Sequence, residues 1–323
     1  MHPRVTADYR TILWIVLATG LAAAQYAFPP FAPYVWPISC YFALACGVIA
    51  HNHNHCPTFE NAKANHFFAN WISIFYGYPT FAWIPTHNMN HHKYVNRAGD
   101  ATITWRHSNK HTLFIATTYF FVSSYWQSVP IRSFIVKARE KNGPLYRQIV
   151  FQYVFFATTH IALACLAIAL YGLRAGLFLY CMAFLLPAFF ALWTIMLFNY
   201  EQHVHTDPWS DFNHSRNWDG RLLNFLLFNN GLHGAHHETP GTHWSKLRPV
   251  HEKLAPYIDP QLIHRSMWGY FVRQYVVAPF FPAFGTQQVG RAPSDPPDGR
   301  PSSLQTAEVD LGEAGTTVDM IRG

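Results

Sequence analysis

Four long segments of this chain carry no Asp, Glu, Lys or Arg: Thr11–Phe28, Tyr34–Ala50, Val150–Leu170 and Ala175–Phe198. Crossing a bilayer takes roughly 17–25 mainly apolar residues, so each is a candidate span, with the second at the short limit. One such segment alone reads equally well as a buried core helix, but four of them in 323 residues do not. Short uncharged breaks join them in pairs. Pro29-Pro30-Phe31-Ala32-Pro33 separates the first two and Tyr171–Arg174 the last two, giving two hairpins. Apart from Arg174, every Lys and Arg lies in the N-terminal arm, the middle segment or the C-terminal part, which puts the termini on the cytoplasmic side.

Composition agrees. The chain is 50% hydrophobic, 17% aromatic and only 12% charged, well below the charged fraction of soluble domains. A net charge of +6 raises the question of nucleic acid, yet the basic residues form no stripe and the apolar runs are too long for such a module. Cys40, Cys46, Cys56, Cys165 and Cys181 lie in or beside apolar segments without C-x-x-C spacing, and imply neither a disulfide framework nor a zinc site. The first span has no cleavage site after it and reads as retained. Between the hairpins, Phe67–Ile84 and Leu113–Val129 are aromatic but interrupted by Asn70, Ser73, Ser123 and Gln127, as expected of interfacial or half-inserted helices. A helix is expected to start at Pro85-Thr86 with Thr86 as its cap. From Thr286 the sequence turns rich in Gly, Pro and Ser, so Thr286–Gly323 is expected to be a disordered tail after a domain spanning 1–285.

The chemistry is concentrated in histidines, 20 of them against 17 acidic residues. Three clusters stand where apolar segments end: His51-x-His53-x-His55, His87-x-x-x-His91-His92 and His233-x-x-His236-His237. His203 follows Asn199 by four residues. Neutral imidazole is a good ligand for iron and other borderline metals. On a helix His51 and His55 share a face, as do His87 and His91. His53 and His205 lie off these faces and read as structural. His160 is the one histidine inside a span, where a polar group faces a partner or a cavity. Nine imidazoles, from one pair, two triads and His203, are too many for a single ion and fit two. There is neither the Glu-x-x-His of soluble di-iron bundles nor the His-Glu-x-x-His of zinc proteases.

In their order and spacing these boxes resemble the membrane fatty acid desaturase–hydroxylase superfamily, over roughly residues 10–285. The resemblance implies an all-α, four-span membrane bundle of two hairpins under a cytoplasmic helical cap that carries a di-iron site. It implies His51, His55, His87, His91, His92, Asn199, His203, His233, His236 and His237 as the metal site, two iron ions as cofactor and O2 as co-substrate. Asn199-x-x-x-His203 resembles acyl desaturases in particular, hence a double bond introduced into a fatty acyl chain carried on lipid, CoA or a carrier protein. Hydroxylation, carotenoid modification and terminal-alkene formation use the same boxes, and a metal transporter is the rival from another class. Asn52 stands where many members have Asp, leaving Asp100, Asp207, Glu201 or Glu238 to orient imidazoles. No G-x-G-x-x-G or fused haem domain is present, so a separate ferredoxin or cytochrome is expected as electron donor, with Lys93, Arg97, Arg106 and Lys110 as one docking patch.

Overall fold

The computed structural model describes residues 2–298. It is predominantly helical, and its chain divides into two compact units, Met1–Trp83 with Ala138–Ile195 and Ile84–Lys137 with Met196–Gly323.

The first unit is built from apolar helices. Helix α1 spans Asp8–Ala27, a 3-10 turn at Pro29–Phe31 reverses the chain, and α2 spans Ala32–His55. Helix α3, Ala62–Tyr76, starts where the Asn61 side chain accepts from the Lys63 and Ala64 amides and ends at left-handed Gly77. Buried polar groups are paired between helices: Trp14 Nε1 donates to Tyr41 (2.7 Å), Trp71 Nε1 to Thr19 (3.0 Å) and Gln25 Nε2 to Ser39 (3.0 Å). Where water is excluded, such bonds remove the cost of an unpaired donor.

Three helical segments are long and apolar enough to cross a membrane, Asp8–Ala27, Pro29–His55 and Gly143–His203. The third has 61 residues, which as a straight helix would reach about 90 Å, three times the hydrocarbon thickness. It does not run straight. Gly172 has φ 76° and ψ 167°, a conformation closed to residues with a Cβ, and there the chain turns back. The passes before and after it pack so closely that a Cβ on Gly176 would lie 2.5 Å from the Ala167 carbonyl group. His160 Nδ1 meets the Tyr180 hydroxyl at 2.9 Å across the same hairpin, the partner expected of a polar group in an apolar helix. All four expected apolar segments are therefore helical, in two hairpins. Helix α4 spans Leu113–Lys141, and the returning pass contains a π-turn at Cys181–Leu185 and continues as α5, Leu186–His203.

The second unit holds most of α4, shorter helices and loops, and a two-stranded parallel ribbon, Asn217–Trp218 with Ile263–His264. Two expectations fail here. The helix before the second histidine cluster does not begin at Thr86: a 3-10 turn at Thr80–Ala82 leads directly into a π-helix at Ile84–His91, with Thr86 buried inside it. Pro85 sits in the first turn, where its missing N–H costs no bond. Nor does disorder begin at Thr286. Val289 is buried with Ile258 and Leu262, its amide donates to the His205 carbonyl (3.0 Å), and Trp209 Nε1 donates to the Ala292 carbonyl (3.0 Å). Buried Val289 and Pro293, with a row of backbone and side-chain hydrogen bonds, hold 286–298 despite its composition. The rest of the expected tail, 299–323, lies outside the described residues.

Gly176→Leu is expected to destabilise the protein by about 1–3 kcal/mol through overpacking, whereas Gly20→Ala, inside α1 with open space around it, is expected to leave the thermal midpoint in detergent no lower than the parent's. A chain ending after Asp298 keeps the contacts of 286–298, and one ending after Gly285 loses them. Only the second is expected to melt lower.

Candidate metal centre

In the second histidine cluster His87 and His91 lie in the π-helix and His92 follows it directly. In a π-turn hydrogen bonds span five residues, so positions five apart come to one side. His87 and His92 accordingly meet at Nε2, 3.1 Å apart. The expected pairing of His87 with His91 survives only as ring stacking at 5.2 Å, because the His91 nitrogen turns elsewhere. The third cluster lies on a short helix, α6, His233–Glu238. The Gly234 amide in its first turn donates to Asn217 Oδ1 (2.9 Å), and Leu232 and Ala235 bury against Leu247.

These elements gather two nests of ring nitrogens. In one, His91 Nε2 lies 3.1 Å from His203 Nε2, which lies 2.9 Å from His233 Nε2, which lies 3.1 Å from His237 Nε2. One nitrogen from each of the four falls within 4.8 Å of the others. In the other nest, Nε2 of His87, His92 and His236 form a triangle with sides of 3.0 to 3.3 Å. Each His-His doublet is split, His91 and His237 serving the first nest and His92 and His236 the second. The nests adjoin, with the His92 and His237 rings 4.5 Å apart.

The donor set fits metal ions. Ligands at right angles on metal–nitrogen bonds of about 2.1 Å stand about 3.0 Å apart, which matches the spacing within both nests. Where Nδ1 carries the proton, as at His91 towards Asp100 and at His203 towards the His214 carbonyl, the facing Nε2 lone pairs repel unless a cation lies between them. Burial and then the imidazoles of His233, His92, His91 and His203 hold His237 well below the usual imidazole range, so it is the neutral ligand form.

Behind the ligands stand acceptors for the other ring nitrogen. Asp100 is the carboxylate that orients an imidazole, its Oδ2 lying 2.8 Å from His91 Nδ1. It also accepts from the Asn96 amide (2.8 Å), the Thr102 amide (2.7 Å) and the Thr102 hydroxyl (2.7 Å). Burial pushes its carboxyl up, but His91 and the Thr102 donors outweigh this and hold it down at about 2. His203 Nδ1 faces the His214 carbonyl at 3.0 Å, and its own carbonyl accepts from Asn96 Nδ2 (3.0 Å). Asn90 ties the 96–104 loop to the π-helix, donating to Gly99 and accepting from Ala101.

Asn199 uses its amide nitrogen on the Tyr119 hydroxyl (2.9 Å), and Tyr119 in turn donates to the Thr102 carbonyl. In the first unit, His51 and His55 stand one turn apart at the end of α2, ring centroids 4.9 Å apart, with His51 against Trp83. His53 faces the Thr58 hydroxyl (2.9 Å) and the Phe68 ring, away from His51 and His55. His205 is spent on Thr286 and the Asn109 carbonyl. Of the other acidic candidates, Glu201 pairs with His111 (3.0 Å), outside the boxes, and Asp207 accepts from the Trp209 and Arg291 amides. The sequence reading missed Asn96, Thr102 and His214, which carry no metal-ligand signature and act from behind the ligands, Asn96 and Thr102 through amide and side-chain donors and His214 through its carbonyl.

A sequence model of fatty acid desaturases matches residues 8–271, including every box. The chain belongs to the fatty acid desaturase family. Neither the curated proteins nor the solved structures yield a match. Its family makes the chain an oxidoreductase of membranes acting on fatty acyl lipids, and the two nests of ring nitrogens are compatible with metal binding.

Asp100→Asn keeps the shape of the support but removes its charge, and is expected to weaken metal affinity about 10–100-fold, read by competition with a chelator, with the fold intact. In the metal-free protein, burial lowers His214 and His264 from 6.5 to about 4. As pH falls below about 6.5, the unfolded chain takes up protons there before the folded one. Stability is therefore expected to fall between about pH 6.5 and 4, seen as a dropping thermal midpoint.

Proposed function

We propose that this chain is an O2-dependent di-iron desaturase that introduces a double bond into a fatty acyl chain. The observation that carries the reading is the pair of adjoining nests with each His-His doublet divided between them, a donor set for two ions in a family of lipid oxidoreductases. His91, His203, His233 and His237 hold one ion. His87, His92 and His236 hold the other, and His51, His55 and Asn199 are the remaining members of the proposed ligand set. Reduced iron with O2 supplies an oxidant for an unactivated C–H bond. The chain's own residues fix the ligand geometry: Asp100 and the His214 carbonyl keep Nδ1 of His91 and His203 engaged and Nε2 turned inward. Burial of His87, His91, His203, His233 and His236 keeps water from the nests.

The apolar helices cross the bilayer four times in this reading, with the nests on the cytoplasmic side where Lys and Arg concentrate. Electrons come from a separate ferredoxin or cytochrome. Of the expected docking residues, Arg97 lies over the Trp209 ring and Arg106 over the Trp126 ring, so Lys93 and Lys110 remain as the exposed charges.

The purified protein is expected to carry two iron ions per chain. His91→Ala, His203→Ala or His236→Ala abolishes turnover, while His53→Ala retains most of it. With labelled O2, a reduced donor and a long-chain acyl substrate, the product is expected to lose two hydrogens and contain no label. Labelled oxygen retained in the acyl chain makes the enzyme a hydroxylase. Loss of the carboxyl carbon as CO2 makes it a terminal-alkene former.

A further inference from the structure

The C-terminal part of the second unit carries a helical run over Met267–Val277, an α-helix to Val272 followed by a π-turn at Arg273–Val277. Its inner face is fixed by polar bonds. Tyr270 donates to Glu201 Oε2 (2.8 Å) and Tyr275 to Glu201 Oε1, while Gln274 donates to the His111 carbonyl (2.9 Å) and accepts from the Thr286 amide (2.9 Å). With Met267 and Tyr270 buried, the helix has no freedom to turn its other side inward. That other side is Trp268, Val272, Val276 and Phe280 at every fourth position, continued by Phe281 and Phe284. These six are between 54% and 78% exposed.

The stripe has a neighbour. Tyr275 packs into the cluster formed by Ala116 and Tyr119 on the inner face of α4, and the outer face of α4 exposes Phe114, Phe121 and Tyr125. Two adjoining helices thus present aromatic side chains outward, more apolar surface than a soluble face ordinarily leaves in contact with water. The charge pattern around it has one sign. From Pro260 to Ser294 there is no Asp, Glu or Lys, and the only ionic groups are Arg265, Arg273 and Arg291. A run of 11 residues reaches roughly 17 Å, too short to cross the hydrocarbon. Trp and Phe on one side of a short helix with Arg at its border fit the headgroup–acyl boundary, and Arg fits anionic lipid phosphates.

We propose that Met267–Phe284 lies flat in the membrane–water interface, its stripe in the outer acyl layer and Arg265 and Arg273 at anionic headgroups. The bilayer that takes the apolar helices of the first unit is its partner, whatever reaction the nests perform. Through Tyr270 and Tyr275 this helix grips Glu201, two residues before His203, so the lipid surface braces the ligand-bearing helix from outside.

The test uses the full-length protein in nanodiscs. The partly exposed Cys56, Cys165 and Cys181 are replaced by Ser, and Val276→Cys, Phe280→Cys or Lys253→Cys is labelled with a polarity-sensitive fluorophore. All three positions are exposed, so labelling leaves the fold alone. At 276 and 280, doxyl-lipid quenching is expected to exceed iodide quenching, and more so when phosphatidylglycerol replaces phosphatidylcholine. At 253 the order reverses. Iodide quenching dominating at 276 and 280 overturns the proposal, as does protection that appears only after an electron-donor protein is added, which makes the stripe a protein-docking face. A second measurement needs no label: the Val276→Asp, Phe280→Asp variant is expected to lose the rise in thermal midpoint that added phosphatidylglycerol gives the parent. An undiminished rise counts against the proposal.

Discussion

Seven imidazole nitrogens converge within two adjoining nests, and every neighbouring feature answers to the cost of holding them there. Burial favours neutral rings, but neutral rings pointing lone pairs at one another gain nothing from proximity until a cation lies between them. The polypeptide must therefore supply the arrangement beforehand. It does so with directional bonds behind the rings: Asp100 on His91, the His214 carbonyl on His203, and Asn217 at the start of α6. Asp100 is itself saturated by the Asn96 and Thr102 donors, so its charge is stabilised although it is fully enclosed.

The loop between Val95 and Thr104 shows how little regular structure this requires. Val95 and Asn96 both have positive φ, a rare conformation for a β-branched residue. The local strain is offset because Asn96 there bonds to Asp100, to Thr104 and to the carbonyl of His203 at once. Strain confined to a ligand-supporting loop and over-determined by hydrogen bonds is a reasonable trade for fixed geometry.

Much of this was legible in the sequence, for identifiable reasons. Apolar length without charge marks the four helical passes, since a bilayer-sized segment has few other uses. Histidine spacing marks the boxes, since imidazole is rarely clustered without a ligand to share. The failures have equally definite causes. A π-turn has no compositional signature, so spacing alone paired His87 with His91. The Gly/Pro-rich stretch at 286–298 is held by long-range hydrogen bonds and by buried Val289 and Pro293, neither of which composition reports. The exposed stripe on Met267–Phe284 was hidden because four-residue spacing of apolar residues looks the same whether it faces a core or a lipid.

The divided doublets set a ruler inside the site. Adjacent residues are joined through one peptide unit, and their Cα atoms cannot depart from about 3.8 Å. Because His91 and His237 serve one nest and His92 and His236 the other, two covalent links tether the nests from opposite sides. Rotation of the rings can shift the nitrogens, but the backbones that carry the two nests cannot drift apart at either doublet. The separation of the nests is thus bounded by chain connectivity rather than by packing alone.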